Sequence, residues 1–326
     1  MKLDERTERV VEMYSKYPFP LAASRNAQTF FQKYVLSSLE RLQREESVRR
    51  VLDAGCGTGQ ITAEMAACLP NVEIMAVDVT EGSLELAKKL ATERGLKNLT
   101  FRRSNLMEFD PGLGKFDFIY SQGVIHHLTD PQAGMNNLNR YLRAGGYAFI
   151  WLYALLGRRR VLELREALKI LGVDELPWDR RIELALVARP LFFSKPATPM
   201  RKLIKVLEYV DQHGFMRALP YLYGHLRKAP AGADSLAYRQ VHTADYVLHP
   251  QDKYYRVGEA VDLFNDSGFE LVGILQGMSN SIEESFGAGN KLMAGRKFSQ
   301  REAYTLIELH EQPEGIGYLV RKTREQ

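Results

Sequence analysis

A run of three glycines and a later aspartate carry the clearest chemistry in this sequence. Gly55, Gly57 and Gly59 lie in residues 51–59, VLDAGCGTG, where an apolar strand pattern passes into a helical one. Glycines at such a junction allow a tight turn close to a ligand, and the N–H groups opening the helix favour anionic groups. Asp78 follows about 20 residues later, where a carboxylate can accept hydrogen bonds from ribose hydroxyls. The sequence therefore predicts a nucleotide-like cofactor.

The spacing of the glycines distinguishes this turn from two other nucleotide sites. The dinucleotide fingerprint is G-x-G-x-x-G, whereas the third glycine here comes one residue earlier, at Gly59. A P-loop has a lysine followed by serine or threonine directly after its last glycine, but Gln60 and Ile61 occupy those positions. The pattern therefore weakens the case for NAD or FAD and excludes ATP bound through a P-loop.

The elements that must position these residues alternate between strand and helix patterns. In residues 50–154 short apolar runs alternate with helical stretches, which is typical of βαβ units and of a parallel sheet covered on both faces. Residues 157–250 lose the strand pattern, which resumes after them. We therefore expect one α/β core formed by 46–156 plus 251–326. The helical insertion at 157–250 is expected to form a substrate cap, and residues 1–45 an N-terminal helical arm that acts as a lid.

Four segments, in order along the chain, resemble the motifs of a known enzyme family. They are VLDAGCGTG at 51–59, AVDVT at 76–80, FDFIYSQGVIHHL at 116–128 and LRAGGYAFI at 142–150. Together they resemble the class I S-adenosylmethionine-dependent methyltransferases. The resemblance implies a Rossmann-like, mostly parallel seven-stranded sheet in the class I methyltransferase order, with its last strand antiparallel. It also implies S-adenosylmethionine as the cofactor.

The same resemblance implies a set of cofactor-binding residues at the ends of successive strands. The set is Asp53, Gly55 and Gly57 at the methionine end, Asp78 at the ribose, Val79, Asn105 and Leu106 at the adenine, and Ser121 with Gln122 beneath the sulfonium. Similar sequences often have aspartate where this chain has Asn105. An amide can still hydrogen-bond adenine N6 or N1, so the expectation of cofactor binding stands.

The chain also resembles a bacterial subgroup of this superfamily. The shared features are a Y-x-x-x-P-x-P element, here Tyr14 to Pro20, and an LHP motif after the insertion, here Leu248 to Pro250. The subgroup resemblance implies methyl-transfer chemistry but no particular substrate.

Three residues are candidates for a general base that takes a proton from the methyl acceptor: His127, His249 and Tyr14. Each has a structural alternative, since Tyr14 can be a core aromatic, His249 a turn residue, and one ring of the pair at 126–127 a buried structural side chain. The sequence near this histidine pair shows no cysteine or carboxylate cluster, so no metal is predicted. An activated sulfonium requires mainly orientation and exclusion of water.

Missing motifs narrow the range of possible methyl acceptors. YSQG at 120–123 replaces the [DN]PP[YF] motif of adenine and glutamine amino-methyltransferases, and neither Cys56 nor Cys68 is placed as a cytosine-C5 nucleophile. Methylation of arsenite by a multi-cysteine route is disfavoured as well. The leading hypothesis is direct methyl transfer to an O, N, C or S atom of a small organic molecule. The alternatives are a methyltransferase acting on protein or RNA, and a non-catalytic cofactor-binding partner subunit.

Composition sets the outer limits of these hypotheses. The 326 residues are 45% hydrophobic and 26% charged, as in folded globular proteins, and the net charge of +4 does not call for a nucleic-acid partner. Two cysteines indicate a reducing, cytoplasmic setting. The N-terminal residues are charged, and no apolar run is long enough for a membrane span, so none is expected. The oligomeric state stays open.

Overall fold

The computed structural model describes residues 3–20, 48–193, 236–287, 293 and 296–323. They divide into two compact units, a core unit within Met1–Arg158 and Pro250–Gln326 and an inserted unit within Arg159–His249. Residues 21–45 of the predicted arm and 194–235 of the predicted insertion lie outside the described residues.

The core unit is built on a single seven-stranded sheet with the strand order β3-β2-β1-β4-β5-β7-β6. Its strands are β1 (Arg50–Ala54), β2 (Glu73–Asp78), β3 (Leu99–Arg103), β4 (Phe116–Gln122), β5 (Leu142–Tyr153), β6 (Phe269–Gln276) and β7 (Gly315–Lys322). The first five strands pair in parallel, and β7 is antiparallel to both β5 and β6. The predicted sheet, including its antiparallel last strand, is confirmed.

Helices occupy the connections between these strands. The described helices of the core unit are α1 (Glu5–Lys16), α2 (Gln60–Cys68), α3 (Glu81–Glu93), α4 (Pro131–Tyr141), α8 (Val257–Asp266), α9 (Ile282–Phe286) and α10 (Gln300–Glu311). Local sequence explains where several of them begin. Asp130 caps α4 by accepting from the Ala133 amide, and Ser299 forms a capping box with Glu302 at the start of α10.

Apolar residues cover both faces of the sheet because neighbouring residues of one strand point to opposite sides. In β1, Leu52 packs in one hydrophobic cluster with α4 and α8, whereas Val51 packs in a second cluster with α2. In β5, Ile150 and Phe149 divide between the two clusters in the same way. This two-sided burial explains why the strands are apolar along their length, as expected for a parallel sheet covered by helices.

The inserted unit has its own small core. Its described helices are α5 (Arg159–Ile170), α6 (Trp178–Phe193) and α7 (Leu236–Tyr246). Leu164 of α5, Ala185 of α6 and Val247 after α7 are buried in one cluster. Among the described residues of the whole chain, no helix has the length and apolar character needed to cross a membrane.

Candidate active site

The sheet order brings the predicted cofactor residues to one edge. Strands β2, β1 and β4 are neighbours and run in parallel, so their carboxyl ends lie side by side. Asp53 is near the end of β1, Asp78 ends β2, and Gln122 ends β4. Open α/β sheets bind their ligands outside the carboxyl ends of the strands, where the order reverses.

The glycine turn leaves β1 in a conformation that needs its glycines. Gly55, Gly57 and Gly59 have φ values of 91°, 53° and 79°, a region that other residues rarely adopt. The Gly55 amide donates to the carbonyl of Val77 at 2.8 Å, which ties the turn to β2. A Cβ atom on Gly55 would lie 2.3 Å from a methyl group of Val124. Both conformation and space therefore require glycine at this position.

Asp78 links the end of β2 to the glycine turn. Its carboxylate accepts from the Gly57 amide at 2.9 Å and from the Thr80 amide at 2.8 Å. Burial raises the pKa of Asp78, while these amide hydrogen bonds act in the opposite direction. The structure thus joins the predicted ribose carboxylate to one of the predicted turn glycines.

Asp53 is a buried carboxylate one strand away. Its side chain accepts from the Thr62 hydroxyl at 2.5 Å, and the residue is 2% exposed. Burial raises the pKa of Asp53 to about 7, and the nearby charge of Asp78 adds to the increase while the Thr62 hydrogen bond opposes it. A carboxylate desolvated in this way favours a cationic ligand, because a positive charge would relieve the cost of ionising it.

Cys56 lies within the same turn and is buried. Burial, and then the charges of Asp78 and Asp53, raise the pKa of its thiol well above the ordinary value. The thiol is therefore neutral at physiological pH and fills space in the turn.

The remaining predicted cofactor residues lie at or just after the ends of the expected strands, and some of their polar side chains form hydrogen bonds with the backbone. The buried Ser121 hydroxyl donates to the Ala54 carbonyl at 3.0 Å, and Gln122 accepts from the Tyr120 hydroxyl. Asn105 accepts from the Met107 amide at 3.1 Å through its side-chain oxygen. The carbonyl of Val79 accepts a hydrogen bond from the Arg103 side chain at 2.9 Å, and Leu106 is buried.

The N-terminal segment contacts the glycine turn directly. The Thr58 amide donates to the carbonyl of Phe19 at 3.3 Å, and the Thr58 hydroxyl donates to the carbonyl of Pro20 at 2.5 Å. A Cβ atom on Gly57 would lie 2.5 Å from the Phe19 carbonyl oxygen. Since Pro20 ends the Y-x-x-x-P-x-P element, the structure places that element against the turn. The sequence led us to expect the N-terminal arm to act as a lid, but it did not identify Thr58 as a residue that this element contacts.

Replacing Thr58 by valine is expected to loosen this contact. Valine keeps the shape but loses the hydroxyl bond to Pro20, which is worth about 1 kcal/mol. Hydrogen exchange of the amides in residues 14–19 should become roughly fivefold faster, as measured by mass spectrometry. Thr92→Val is the matched control, because the exposed Thr92 hydroxyl donates to a carbonyl of its own helix, that of Lys88. Unchanged exchange in the first variant would contradict the contact.

The three candidate bases lie on three different segments of the chain. Tyr14 is on α1 and half-buried. His249 belongs to the inserted unit, where it is buried and its carbonyl accepts from Arg165 at 2.8 Å. His127 ends a short 3₁₀ helix after β4, and its Nδ1 lies 2.8 Å from a carboxylate oxygen of Asp252. Sequence reasoning missed Asp252, whose only signal was its place just after the LHP motif.

Comparison with known proteins identifies this arrangement. Residues 45–167, which contain β1 to β5 and the glycine turn, match the family described as methyltransferase domain. Residues 45–167 form a class I S-adenosylmethionine-dependent methyltransferase domain. S-adenosylmethionine is its cofactor, as the four sequence motifs implied.

The residues of this methyltransferase domain fit the cofactor on structural grounds. The turn needs glycines because Val124 and Phe19 pack so closely against it that a Cβ atom on Gly55 or Gly57 would collide with them. Asp78 offers a carboxylate suited to ribose hydroxyls, and the desolvated Asp53 suits the positive charge of a sulfonium or an ammonium group. These features accommodate both ends of S-adenosylmethionine.

Relatives of the methyltransferase domain differ in how much of the chain they match. An uncharacterised protein of Synechococcus sp. is 27% identical over 317 residues, covering 94% of this chain and 69% of that protein. The malonyl-[acyl-carrier protein] O-methyltransferase of Bacillus cytotoxicus is 30% identical over 166 residues, covering 51% of this chain and 53% of that enzyme. The chain thus spans about half the length of the second relative.

Solved structures add a match in fold. PKMT2 from Rickettsia typhi, in complex with AdoHcy, superposes with a TM-score of 0.57 at 17% sequence identity. The match covers 86% of this chain and 49% of that protein. At this identity the likeness concerns the fold, and it extends beyond the five strands of the matched family domain.

Proposed function

We propose that the chain transfers a methyl group directly from S-adenosylmethionine to an O, N, C or S atom of a small organic molecule. The observation that carries the acceptor class is the burial of the candidate base. His127 is 8% exposed, and the side chain of Asp252 beside it is fully buried. A small acceptor can enter such a place, whereas a folded macromolecule would have to extend a group into it.

The residues of the core unit divide the work of this reaction. When bound, S-adenosylmethionine supplies an electrophilic methyl group whose bonding electrons remain on sulfur as S-adenosylhomocysteine leaves. Asp78 would orient the ribose, and Asp53 would face the cationic end. The glycine turn, with the N-terminal segment held against Thr58, would limit the access of water. Correct orientation of the reactants and exclusion of water supply most of the rate enhancement that such a displacement needs.

Acceptor recognition is assigned to the rest of the chain. The proposed cofactor residues all belong to the core unit. We propose that the insertion at 157–250 acts as a substrate cap and that the N-terminal arm at 1–45 acts as a lid.

A second candidate is methyl transfer to a group carried on a protein. It is favoured by the relative from Bacillus cytotoxicus, which is named as an O-methyltransferase of malonyl-[acyl-carrier protein]. A carboxyl group on a flexible carrier arm could reach a buried base as a free metabolite does. This candidate keeps the same cofactor site and the same direct transfer.

Partition of labelled product distinguishes these candidates. The full chain is incubated with methyl-tritiated S-adenosylmethionine and a bacterial extract, and the products are separated by ultrafiltration. We expect label in the small-molecule filtrate and none with Asp78→Ala. Label retained with macromolecules would contradict the proposal, and its removal by protease or by nuclease would identify a protein or an RNA acceptor. Cofactor binding without any labelled product would indicate a non-catalytic partner subunit.

We also propose a cytoplasmic location for this chain. Cys56 and Cys68 are free thiols, one buried and the other half-buried. Disulfides form and persist in oxidising compartments, so free thiols suit a reducing one.

A further inference from the structure

A cluster of polar and aromatic side chains lies beyond the cofactor residues in the core unit. It forms where the 3₁₀ helix Ile125–His127, the end of β5 and the segment 251–255 meet. The Lys253 amide donates to the His126 carbonyl at 2.8 Å, and the Tyr255 amide donates to the Tyr153 carbonyl at 3.0 Å. These backbone bonds fix the segment 251–255 against both the 3₁₀ helix and β5.

Two oxygen acceptors face one nitrogen of His127. Its Nδ1 lies 3.1 Å from the carbonyl oxygen of Gln251 and 2.8 Å from Oδ1 of Asp252. The other carboxylate oxygen of Asp252 accepts from the Tyr254 hydroxyl at 2.9 Å. Because neither acceptor can donate a proton, both favour the tautomer that carries hydrogen on Nδ1. Nε2 then carries the lone pair of the ring.

Aromatic rings restrict the orientation of this imidazole. The His126 ring lies 4.1 Å from that of His127, and the Tyr153 ring meets the His127 ring edge-on at 5.2 Å and 89°. The Tyr254 ring stacks on Tyr153 at 5.9 Å and 20°. His127 is thus held in one orientation by rings from two elements and by acceptors from a third.

We infer that Asp252 is a positioning residue that sets His127 as the general base through Nε2. The inference rests on the proposed function. The acceptor gives its proton to Nε2 of His127 as its own atom bonds to the methyl carbon, and the C–S electron pair stays on the departing sulfur. The imidazolium formed is stabilised by the carboxylate of Asp252. Asp252 acts through His127 in this arrangement.

Replacing Asp252 by asparagine is expected to weaken the preference of His127 for the tautomer with hydrogen on Nδ1. The Tyr254 hydroxyl would attract the amide oxygen, so the amide NH₂ would face Nδ1 of His127 and leave the Gln251 carbonyl as the acceptor there. With tritiated S-adenosylmethionine and the small-molecule fraction of the extract, we expect labelled product to form roughly 10²- to 10⁴-fold more slowly. Asp266→Asn is the matched control, since Asp266 is exposed at the end of α8.

The tautomer can be read without an acceptor. ¹⁵N-histidine NMR of the full chain saturated with S-adenosylhomocysteine reports which ring nitrogen is protonated, and His127→Gln assigns the signal. We expect hydrogen on Nδ1 in the wild type, in Asp266→Asn and in Tyr254→Phe, which keeps the carboxylate. Hydrogen on Nε2 of the wild type, or the same population of the two tautomers in wild type and a folded Asp252→Asn, would overturn the inference.

Calorimetry with S-adenosylhomocysteine separates this inference from the proposed function. Wild type and Asp252→Asn are expected to bind it equally, because the cluster lies outside the cofactor residues. If the wild type binds the ligand and forms labelled product but shows the wrong tautomer, only the role of Asp252 fails. If the wild type neither binds the ligand nor forms product, the proposed function fails as well.

Discussion

The variant Asp78→Ala is expected to bind S-adenosylhomocysteine roughly 10²- to 10⁴-fold more weakly than the wild type. A hydrogen bond to a charged group contributes about 1.5–3 kcal/mol, and a ribose offers two hydroxyls to this carboxylate. Since about 1.4 kcal/mol corresponds to a tenfold change in affinity, the loss of both bonds gives that range.

The structure adds a second reason for a large effect. The carboxylate of Asp78 accepts from the amides of Gly57 and Thr80, so alanine also removes the anchor of the glycine turn. Isothermal titration calorimetry measures the affinity, with Asp266→Ala as the control at an exposed carboxylate. Asp78→Asn should fall between wild type and alanine, because its amide oxygen can still accept one of these bonds. Equal binding by wild type and Asp78→Ala would remove Asp78 from the cofactor site.

The variant Asp53→Asn is expected to be more stable than the wild type at pH 8, by about 4 kcal/mol. The pKa of Asp53 is raised from 3.8 to about 7 on folding. The folded state therefore binds a proton more tightly than the unfolded state does between these two pH values, so the wild type loses stability as the pH rises through that window. Each pH unit between the two pKa values is worth about 1.4 kcal/mol. Asparagine carries no charge and avoids the loss.

Urea denaturation at two pH values checks this expectation. At pH 4 the carboxyl group is largely protonated in the folded state, so the two proteins should have similar free energies of unfolding. The Thr62 hydroxyl can still donate to the amide oxygen, which keeps the comparison matched. Affinity for S-adenosylmethionine should fall in the variant even as its stability rises, because the buried charge is retained for a cationic ligand. Equal stability of the two proteins at pH 8 would contradict the raised pKa.

Local patterns explain which parts of the site the sequence could predict. Gly55, Gly57 and Asp78 act through a turn and a strand end that are close together along the chain. Their spacing and their apolar flanks were therefore sufficient to predict that they lie at the ends of strands, and the order of the strands followed from the family resemblance. The structure confirms the predicted sheet and places these residues at one edge of it.

Contacts made only by the tertiary fold could not be predicted in this way. Asp252 contacts His127 because the chain returns to the core unit after the insertion. No periodicity or motif in the sequence indicates which residues the returning segment will contact. Phe19 reaches Thr58 in the same manner, through backbone groups that every residue possesses. Hydrogen bonds from backbone atoms leave no trace in residue type, so sequence reasoning could name the Y-x-x-x-P-x-P element but not its neighbour.

The position of β7 has a consequence for how the protein is made. β7 (Gly315–Lys322) lies between β5 and β6, although it is synthesised after both of them. While the nascent chain grows on the ribosome, the edge of β5 that pairs with β7 therefore stays unpaired until the inserted unit, β6 and α10 have been synthesised. Unpaired strand edges are sites of aggregation in incomplete chains. Translation that stalls before Gly315 should thus leave a chain that depends on chaperones, however well its cofactor residues are formed.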